Sequence, residues 1–135
     1  DDDGFNQMVH LKRLMLAFPY YERVPDRSAI RDNGVRYERL IATRGKDYLL
    51  VYNHIGRDMN VDLSKISGRK HRAWWMDAAS GAVKYIGEVG KDMRYKPDGD
   101  ADGVLIVTDV KSAYLTPETT SLMSLPQPEV RDLTE

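Results

Sequence analysis

The chain has 135 residues, of which 41% are hydrophobic and 30% are charged. This length supports one soluble globular domain with a buried core but is too short for a closed (β/α)8 barrel. The net charge of -1 gives no overall field that would attract nucleic acid or an acidic membrane, and the absence of cysteine excludes disulfides and cysteine-ligated zinc. The longest apolar run is far below the roughly 20 residues that cross a bilayer, so we expect no membrane span.

The N-terminal segment predicts one amphipathic helix. Its apolar residues recur at spacings of three and four and should share one face. These residues are Phe5, Met8, Leu11, Met15 and Phe18. Asp2 or Asp3 is suited to cap the helix, and Pro19 ends it. An extended connection to Ile30 is expected to follow, so residues 3–30 form the first predicted unit.

Residues 31–112 are predicted to form an antiparallel β-sandwich. About seven β-rich runs alternate with turn residues at hairpin spacing, which favours a sandwich over alternating βαβ units. The runs are Val35–Thr43, Tyr48–His54, Asn60–Leu63, Lys70–Met76, Ala82–Gly87, Lys91–Tyr95 and Val104–Val110. The predicted fold class is therefore mainly β with one N-terminal helix. Residues 113–135 are expected to be a poorly ordered tail.

Two of the predicted strands are apolar on both faces. The segments Tyr48–Tyr52 and Val104–Val107 carry large apolar residues at odd and at even positions. Both faces of these strands should therefore be covered. Since a sandwich normally buries only the inner face, either the N-terminal helix or a neighbouring domain is expected to cover the outer one.

Trp74 and Trp75 are neighbours in one predicted strand, so their rings must point to opposite faces. One ring then faces the core. The other either packs under the helix or a partner domain, or offers a platform for a sugar or a peptide. Tyr48, Tyr52 and Tyr85 are candidates to extend such a platform, which makes these five aromatic residues the candidate ligand-binding set.

An acidic segment resembles the beginning of a calcium-binding loop. Asp98, Asp100 and Asp102 alternate and are followed by glycine, and Asp109 takes the twelfth position. These four are candidate calcium ligands. The alternative is a solvent-exposed acidic connection, which the missing flanking helices and the aspartate in place of glutamate favour. No other cofactor is indicated.

The remaining polar residues indicate neither catalysis nor nucleic acid binding. The three histidines lack a metal-ligand spacing and are interpreted as surface or lightly packed residues, and the chain has no nucleophile elbow or phosphate-binding loop. The basic run Arg69–Arg72 precedes the tryptophans, but alternate residues of a strand face opposite ways, so the run forms no single stacking surface. We identify no catalytic residue.

Four segments, in chain order, resemble one known domain family. They are Gly4 with Gln7–Leu14, Val24-Pro25-Asp26, Ala73–Asp77 with Ser80-Gly81, and Asp102–Val107. From about Gly4 to Val110 the chain resembles the collagen-binding C-terminal domain associated with apiosidase-like glycoside hydrolases. It departs from that pattern at Ala78 and Gly103, where the family commonly has proline and tryptophan.

The resemblance implies a non-catalytic accessory module of a bacterial glycoside hydrolase system, in the periplasm, at the cell surface or secreted. In that family the helix and the Val-Pro-Asp stretch close a catalytic (β/α)8 barrel and lead into the sandwich. The module would scaffold that barrel or bind a polysaccharide or a fibrous protein. Two alternatives stay open: an adhesive module that binds a fibrous protein or glycan through exposed aromatics and, least favoured, a glycosidase in its own right. Separately from these, self-association is an option for the sheet face that would otherwise dock on the barrel.

Overall fold

The computed structural model describes residues 2–19, 23–34, 39–99 and 102–122, without the side chains of residues 2–6. This part of the chain forms one α-helix, a single 3-10 turn and nine strands in two antiparallel sheets, which confirms the predicted fold class. The elements are α1 (Asp2–Leu16), β1 (Val24–Pro25), the 3-10 turn (Arg27–Ala29), β2 (Ile30–Arg31), β3 (Ile41–Arg44), β4 (Tyr48–Asn53), β5 (Met59–Asp62), β6 (His71–Asp77), β7 (Val83–Val89), β8 (Asp92–Tyr95) and β9 (Gly103–Asp109).

The two sheets differ in width. The large sheet has the strand order β1-β3-β4-β9-β6-β7, and the small sheet has the order β2-β5-β8. The two doubly apolar strands, β4 and β9, are paired neighbours at the centre of the large sheet. Every residue of β9 is buried, so the prediction that both faces of this strand are covered is confirmed.

The first core lies between the sheets. Side chains of alternate positions point inward from both sheets, as the period of two in a strand requires. This inner core contains Leu49, Val51, Met59, Val61, Leu63, Ala73, Trp75, Met93, Leu105 and Val107, with smaller contributions from neighbouring residues.

The second core covers the outer face of the large sheet. It combines the other parity of β4, β6 and β9 with residues of α1 and of the segment after β9. Its members include Leu14, Phe18, Tyr48, Leu50, Trp74, Met76, Val104, Ile106, Leu115 and Leu122. The central strands of the large sheet, β4, β9 and β6, are thus buried on both sides by elements of this chain.

The packing of residues 113–122 corrects the prediction of a poorly ordered tail. Leu115 and Leu122 are 2% and 1% exposed. The backbone of this segment also pairs with the β6–β7 hairpin, since Val83 N–H donates to the Thr120 carbonyl (2.9 Å) and Leu122 N–H to the Gly81 carbonyl (3.2 Å). Residues 123–135 lie outside the described part of the chain.

Helix α1 forms where the sequence predicts it, but its buried face is rotated. Leu14 is 1% exposed and Leu11 is partly buried, whereas Met8 is 71% exposed. The stripe that packs on the sheet therefore runs through Leu11 and Leu14 to Phe18, and the prediction for Met8 was wrong. The predicted caps and the side chain of Phe5 lie outside the described side chains.

The connection after α1 belongs to the sandwich, which therefore begins at Val24 and not at residue 31. Strand β1 pairs with Thr43 and Arg44 of β3, and β2 pairs with β5. Pro25 has no N–H to donate, which suits its place in an edge strand. The first part of the predicted strand Val35–Thr43 lies among residues 35–38, which are not described.

Asp26 fastens this connection to the sheet. Its carboxylate is 7% exposed and accepts hydrogen bonds from the Ser28 N–H (3.0 Å) and from Arg44 Nε (2.7 Å). Lys65 Nζ lies 3.4 Å from the same carboxylate. Burial raises the pKa of Asp26, but the bonds from Ser28 and Arg44 and the charge of Lys65 lower it from 3.8 to about 2.

One histidine is deeply buried, which corrects the expectation of surface or lightly packed histidines. His71 is 0% exposed, with Nδ1 lying 2.6 Å from the Gly90 carbonyl oxygen and Nε2 lying 2.9 Å from that of Ser67. The ring therefore ties the two loops at this end of β6. His71 therefore stabilises the fold, and its buried ring is not available to a ligand.

Candidate functional site

The two tryptophans lie on opposite faces of β6, as their adjacency predicts. Trp74 is 0% exposed, packs against Tyr85 with ring centroids 5.5 Å apart, and donates from Nε1 to the Thr116 carbonyl (3.0 Å). Trp75 is 7% exposed and packs in the inner core against Tyr95, at 5.8 Å between centroids. The outward ring is therefore covered by the chain itself.

The five candidate aromatic residues do not form one exposed platform. Tyr48 is 0% exposed, and its hydroxyl donates to the Pro19 carbonyl (2.6 Å). Tyr52 donates to Asp102 Oδ2 (3.2 Å), and burial together with this carboxylate raises the pKa of Tyr52 to about 12. With Trp74 and Tyr85 they lie in or against the outer core. Helix α1 and residues 113–122 supply the cover that the platform interpretation did not include.

The candidate calcium ligands are also separated. Strand β9 runs unbroken from Gly103 to Asp109, a span of about 20 Å. At its far end Asp109 accepts from the Ser67 hydroxyl (2.8 Å), and at its near end Asp102 accepts from Gln7 (3.1 Å). The interpretation of the four aspartates as one calcium site was therefore wrong. Asp100 lies outside the described residues, and among the described residues no group of three or more suitable side chains could hold a metal ion.

A cleft opens between the free edges of β7 and β8. Because the large sheet has six strands and the small sheet three, the small sheet leaves part of the inner face at β7 uncovered. Trp75 lies directly opposite Lys84 across β6 and β7, so both side chains share that inner face. The cleft has a volume of about 310 Å³. Its lining residues are Trp75, Asp77, Ala82, Val83, Lys84, Tyr95 and Asp98.

The cleft combines an aromatic floor with a charged rim. The rings of Trp75 and Tyr95 are tilted by 42° and form the floor, while Lys84 and Asp98 are exposed at the rim. Burial, and next the negative charge of Asp98, raise the pKa of Tyr95. Asp77 is held in its turn, since its Oδ1 accepts from the Ala79 N–H (2.8 Å). This arrangement can hold a small ligand with an apolar face and hydroxyl groups.

Gly103 makes this floor possible. A Cβ atom on Gly103 would overlap the Trp75 ring at Cζ2 and the Met76 carbonyl oxygen. The indole can therefore lie directly against the backbone of β9 because position 103 has no side chain. A tryptophan at this position would have no space beside Trp75.

The sequence analysis included Trp75 and Asp98 among its candidates but missed Tyr95 and Lys84. Tyr95 shares the parity of the buried Met93 in β8, and this alternation is a signal that it faces inward. No local signal indicates that Tyr95 meets Trp75, because the contact joins different sheets. Lys84 is identified only through the pairing of β7 with β6.

A second surface lies on the outward side of α1. A shallow groove of about 220 Å³ is lined by Val9, Lys12, Arg13 and Leu16. Leu16 is 39% exposed, and Met8, one turn before Lys12, is 71% exposed. The helix is thus apolar on two sides, and its outward side also carries two cations.

Another hollow, of about 420 Å³, lies beside β3. Its lining residues are Pro25, Arg27, Asn33, Arg39, Leu40, Ile41, Ala42 and His54. It combines two arginines with a histidine but has no pair of packed aromatic rings. We therefore give it less weight as a ligand site than the cleft between β7 and β8.

No helix in the described ranges has the length and apolarity needed to cross a membrane.

Comparisons with known proteins connect this fold to glycoside hydrolases. Residues 24–108 match the model of the family described as "Putative collagen-binding domain of a collagenase". A crystal structure of a glycoside hydrolase family 5 protein from Bacteroides vulgatus is similar, with a TM-score of 0.85 and 51% identity over 93% of this chain. A second solved structure, named as a glycoside hydrolase, has a TM-score of 0.79 and 51% identity over 84% of this chain. No curated protein matches the chain.

The similar region is a minor part of both solved proteins. It covers 28% of the first chain and 27% of the second. The fold described above thus occurs as one region of much longer glycoside hydrolase chains.

Proposed function

The chain belongs to the collagen-binding domain family whose model covers residues 24–108, and we propose that it is a non-catalytic accessory domain of a bacterial glycoside hydrolase. One observation carries this proposal: 93% of the chain is similar to 28% of a family 5 glycoside hydrolase at 51% identity. The rest of that longer chain has room for a catalytic domain. The catalytic partner in our proposal is a (β/α)8 barrel of the apiosidase-like kind that the sequence resemblance implies, acting outside the cytoplasm.

We further propose that α1 is the contact between this domain and the catalytic barrel. Its outward side presents Met8, Val9 and Leu16, which would remove apolar surface from water when a partner covers them. Lys12 and Arg13 lie on the same side, so the complementary surface of the barrel should be acidic.

The helix is held firmly enough to transmit such a contact to the sandwich. Its inner side buries Leu14 in the outer core. At its C-terminus, the Arg23 guanidinium donates to the carbonyls of Met15 (2.6 Å) and Phe18 (3.3 Å), where a cation also complements the helix dipole. The same guanidinium donates to the Tyr48 hydroxyl (3.1 Å) and so connects the helix end to β4.

The test uses the whole glycoside hydrolase that carries this domain. We expect thermal unfolding of the wild-type enzyme to show one cooperative transition, because docked domains unfold together. The double variant Met8→Glu and Leu16→Glu should separate this into two transitions and speed proteolysis between the domains. Ile55→Glu changes an apolar residue outside α1 whose exposure (37%) is close to that of Leu16 (39%), and is the control. A single transition in the double variant would contradict docking through α1.

The non-catalytic assignment has its own test. The isolated 135-residue chain should release no reducing sugar from a panel of plant polysaccharides, because the similar region is only 28% of the family 5 glycoside hydrolase chain and our proposal places catalysis in the rest of such a chain. Robust turnover by the isolated chain would overturn this part of the proposal.

A further inference from the structure

The cleft between β7 and β8 points to a binding activity beyond domain docking. We propose that it binds one neutral sugar residue of a polysaccharide, with the ring of the sugar against Trp75 and Tyr95 and its hydroxyls at the charged rim. The inference that the sugar belongs to a polysaccharide rests on the proposed function. The inference that the ligand is a neutral polyol rests on the cleft alone.

The size of the cleft limits the ligand to one small unit. Its volume of about 310 Å³ is at the lower end of the roughly 300 to 1,000 Å³ of small-molecule sites. It ends at the tilted rings of Trp75 and Tyr95, which give the cleft an aromatic floor. The C–H face of a sugar ring is an apolar surface of suitable size for such a floor.

The charges at the rim select a neutral ligand. Asp77 and Asp98 are acceptors, and Lys84 is a donor at the same opening. A cationic ligand would meet Lys84, and an anionic ligand would meet the two carboxylates, so each would face a like charge. A polyol can donate hydroxyls to the carboxylates and accept from the ammonium group, and such charge-assisted hydrogen bonds are the stronger ones.

The floor of the site is formed before any ligand binds. Trp75 is fixed between β9 and the small sheet by its contacts with Gly103 and Tyr95. Asp77 is fixed by its bond to the Ala79 N–H. Binding therefore needs little ordering of the floor, which lowers the entropic cost for a small ligand.

The experiment is a heteronuclear NMR titration of the isolated chain with cellohexaose, xylohexaose and galactohexaose at millimolar concentrations. We expect at least one of them to shift the indole N–H signal of Trp75 and the amide signals of Ala82 and Lys84. The indole N–H of Trp74 is an internal control, because it is buried on the other face and bonded to Thr116. If none of the three oligosaccharides moves the Trp75 signal, the proposal fails.

Two pairs of variants test the rim. Asp98→Asn and Lys84→Ala should each weaken binding by about tenfold, the usual effect of losing a hydrogen bond to a charged group. Asp58→Asn and Lys111→Ala change exposed residues outside the cleft and should leave affinity unchanged. Unchanged affinity in both rim variants would place the sugar elsewhere and overturn the proposal.

The remaining arms of the NMR titration use charged ligands and protein ligands. Hexagalacturonate, a lysine-rich peptide and a collagen-type triple-helical peptide should leave the Trp75 signal in place. Stronger binding of any of these at the cleft than of the neutral oligosaccharides would overturn the proposal. Because this titration uses the isolated chain and the docking test uses the whole enzyme, failure of one leaves the other interpretable.

Discussion

Replacing Asp26 with asparagine tests how the connection between α1 and the sandwich is held. The carboxylate of Asp26 joins the Ser28 turn, Arg44 of β3 and Lys65 of the loop after β5. Asparagine keeps the size and one acceptor oxygen but loses the charge that attracts both cations. The variant therefore removes the electrostatic part of the network and leaves the packing in place.

The magnitude follows from the pKa. A fall of the Asp26 pKa from 3.8 to about 2 in the folded protein corresponds to about 2 kcal/mol of stability at neutral pH. Since the pKa is lowered by folding, this stability is fully present above the unfolded value of 3.8. It is lost as the pH falls from about 4 to about 2. At lower pH the carboxyl group is protonated in both states and contributes no difference.

The assay is urea unfolding of wild type and Asp26→Asn at several pH values between 7 and 2. We expect wild type to be more stable by about 2 kcal/mol at pH 7, and the gap to close by about pH 2. Folding also lowers the pKa values of Asp62 and Asp109, so both proteins should lose stability in acid, and the difference between them is the relevant quantity. A gap that is the same at pH 7 and pH 2 would refute the reasoning.

Three further predictions concern the tryptophan strand and metal ions. Trp74→Phe loses the bond to the Thr116 carbonyl and some ring volume, and should lower the stability by about 2 kcal/mol in urea with an unchanged m value. Gly103→Ala should cost about 1 to 3 kcal/mol by overpacking against Trp75 and the Met76 carbonyl, and should red-shift the tryptophan fluorescence if the Trp75 ring is pushed toward solvent. A chelator should leave the melting temperature unchanged, because the candidate calcium ligands are separated along β9; a lowered melting temperature would contradict that.

Much of the framework follows from local pattern. The seven predicted runs correspond to β3 through β9, because turn residues bound each β-rich run. The doubly apolar sequences of β4 and β9 predict that both faces of these strands are covered, which their burial confirms. The opposite orientation of Trp74 and Trp75 needs no more than their adjacency in a strand.

Other elements carry too little local signal. Strands β1 and β2 have two residues each, and β1 contains Pro25, so neither shows a period. Leu115 and Leu122 lie in a polar segment whose composition predicts a tail. Both side chains are nevertheless buried, because they pack on the outer face of the large sheet. The rotation of α1 that leaves Met8 exposed is likewise set by the sheet beneath it.

The sequence by itself thus determined strands β3 to β9, the cover on both faces of β4 and β9, and the opposed tryptophans, because these features depend on neighbouring residues. The tertiary structure decided what covers the Trp74 ring, how far apart Asp102 and Asp109 lie, and that Trp75 meets Tyr95 beside Lys84. These relations depend on which strands pair and on where the smaller sheet ends. They join residues that are distant in the chain, so the spacing of residues within one segment cannot predict them.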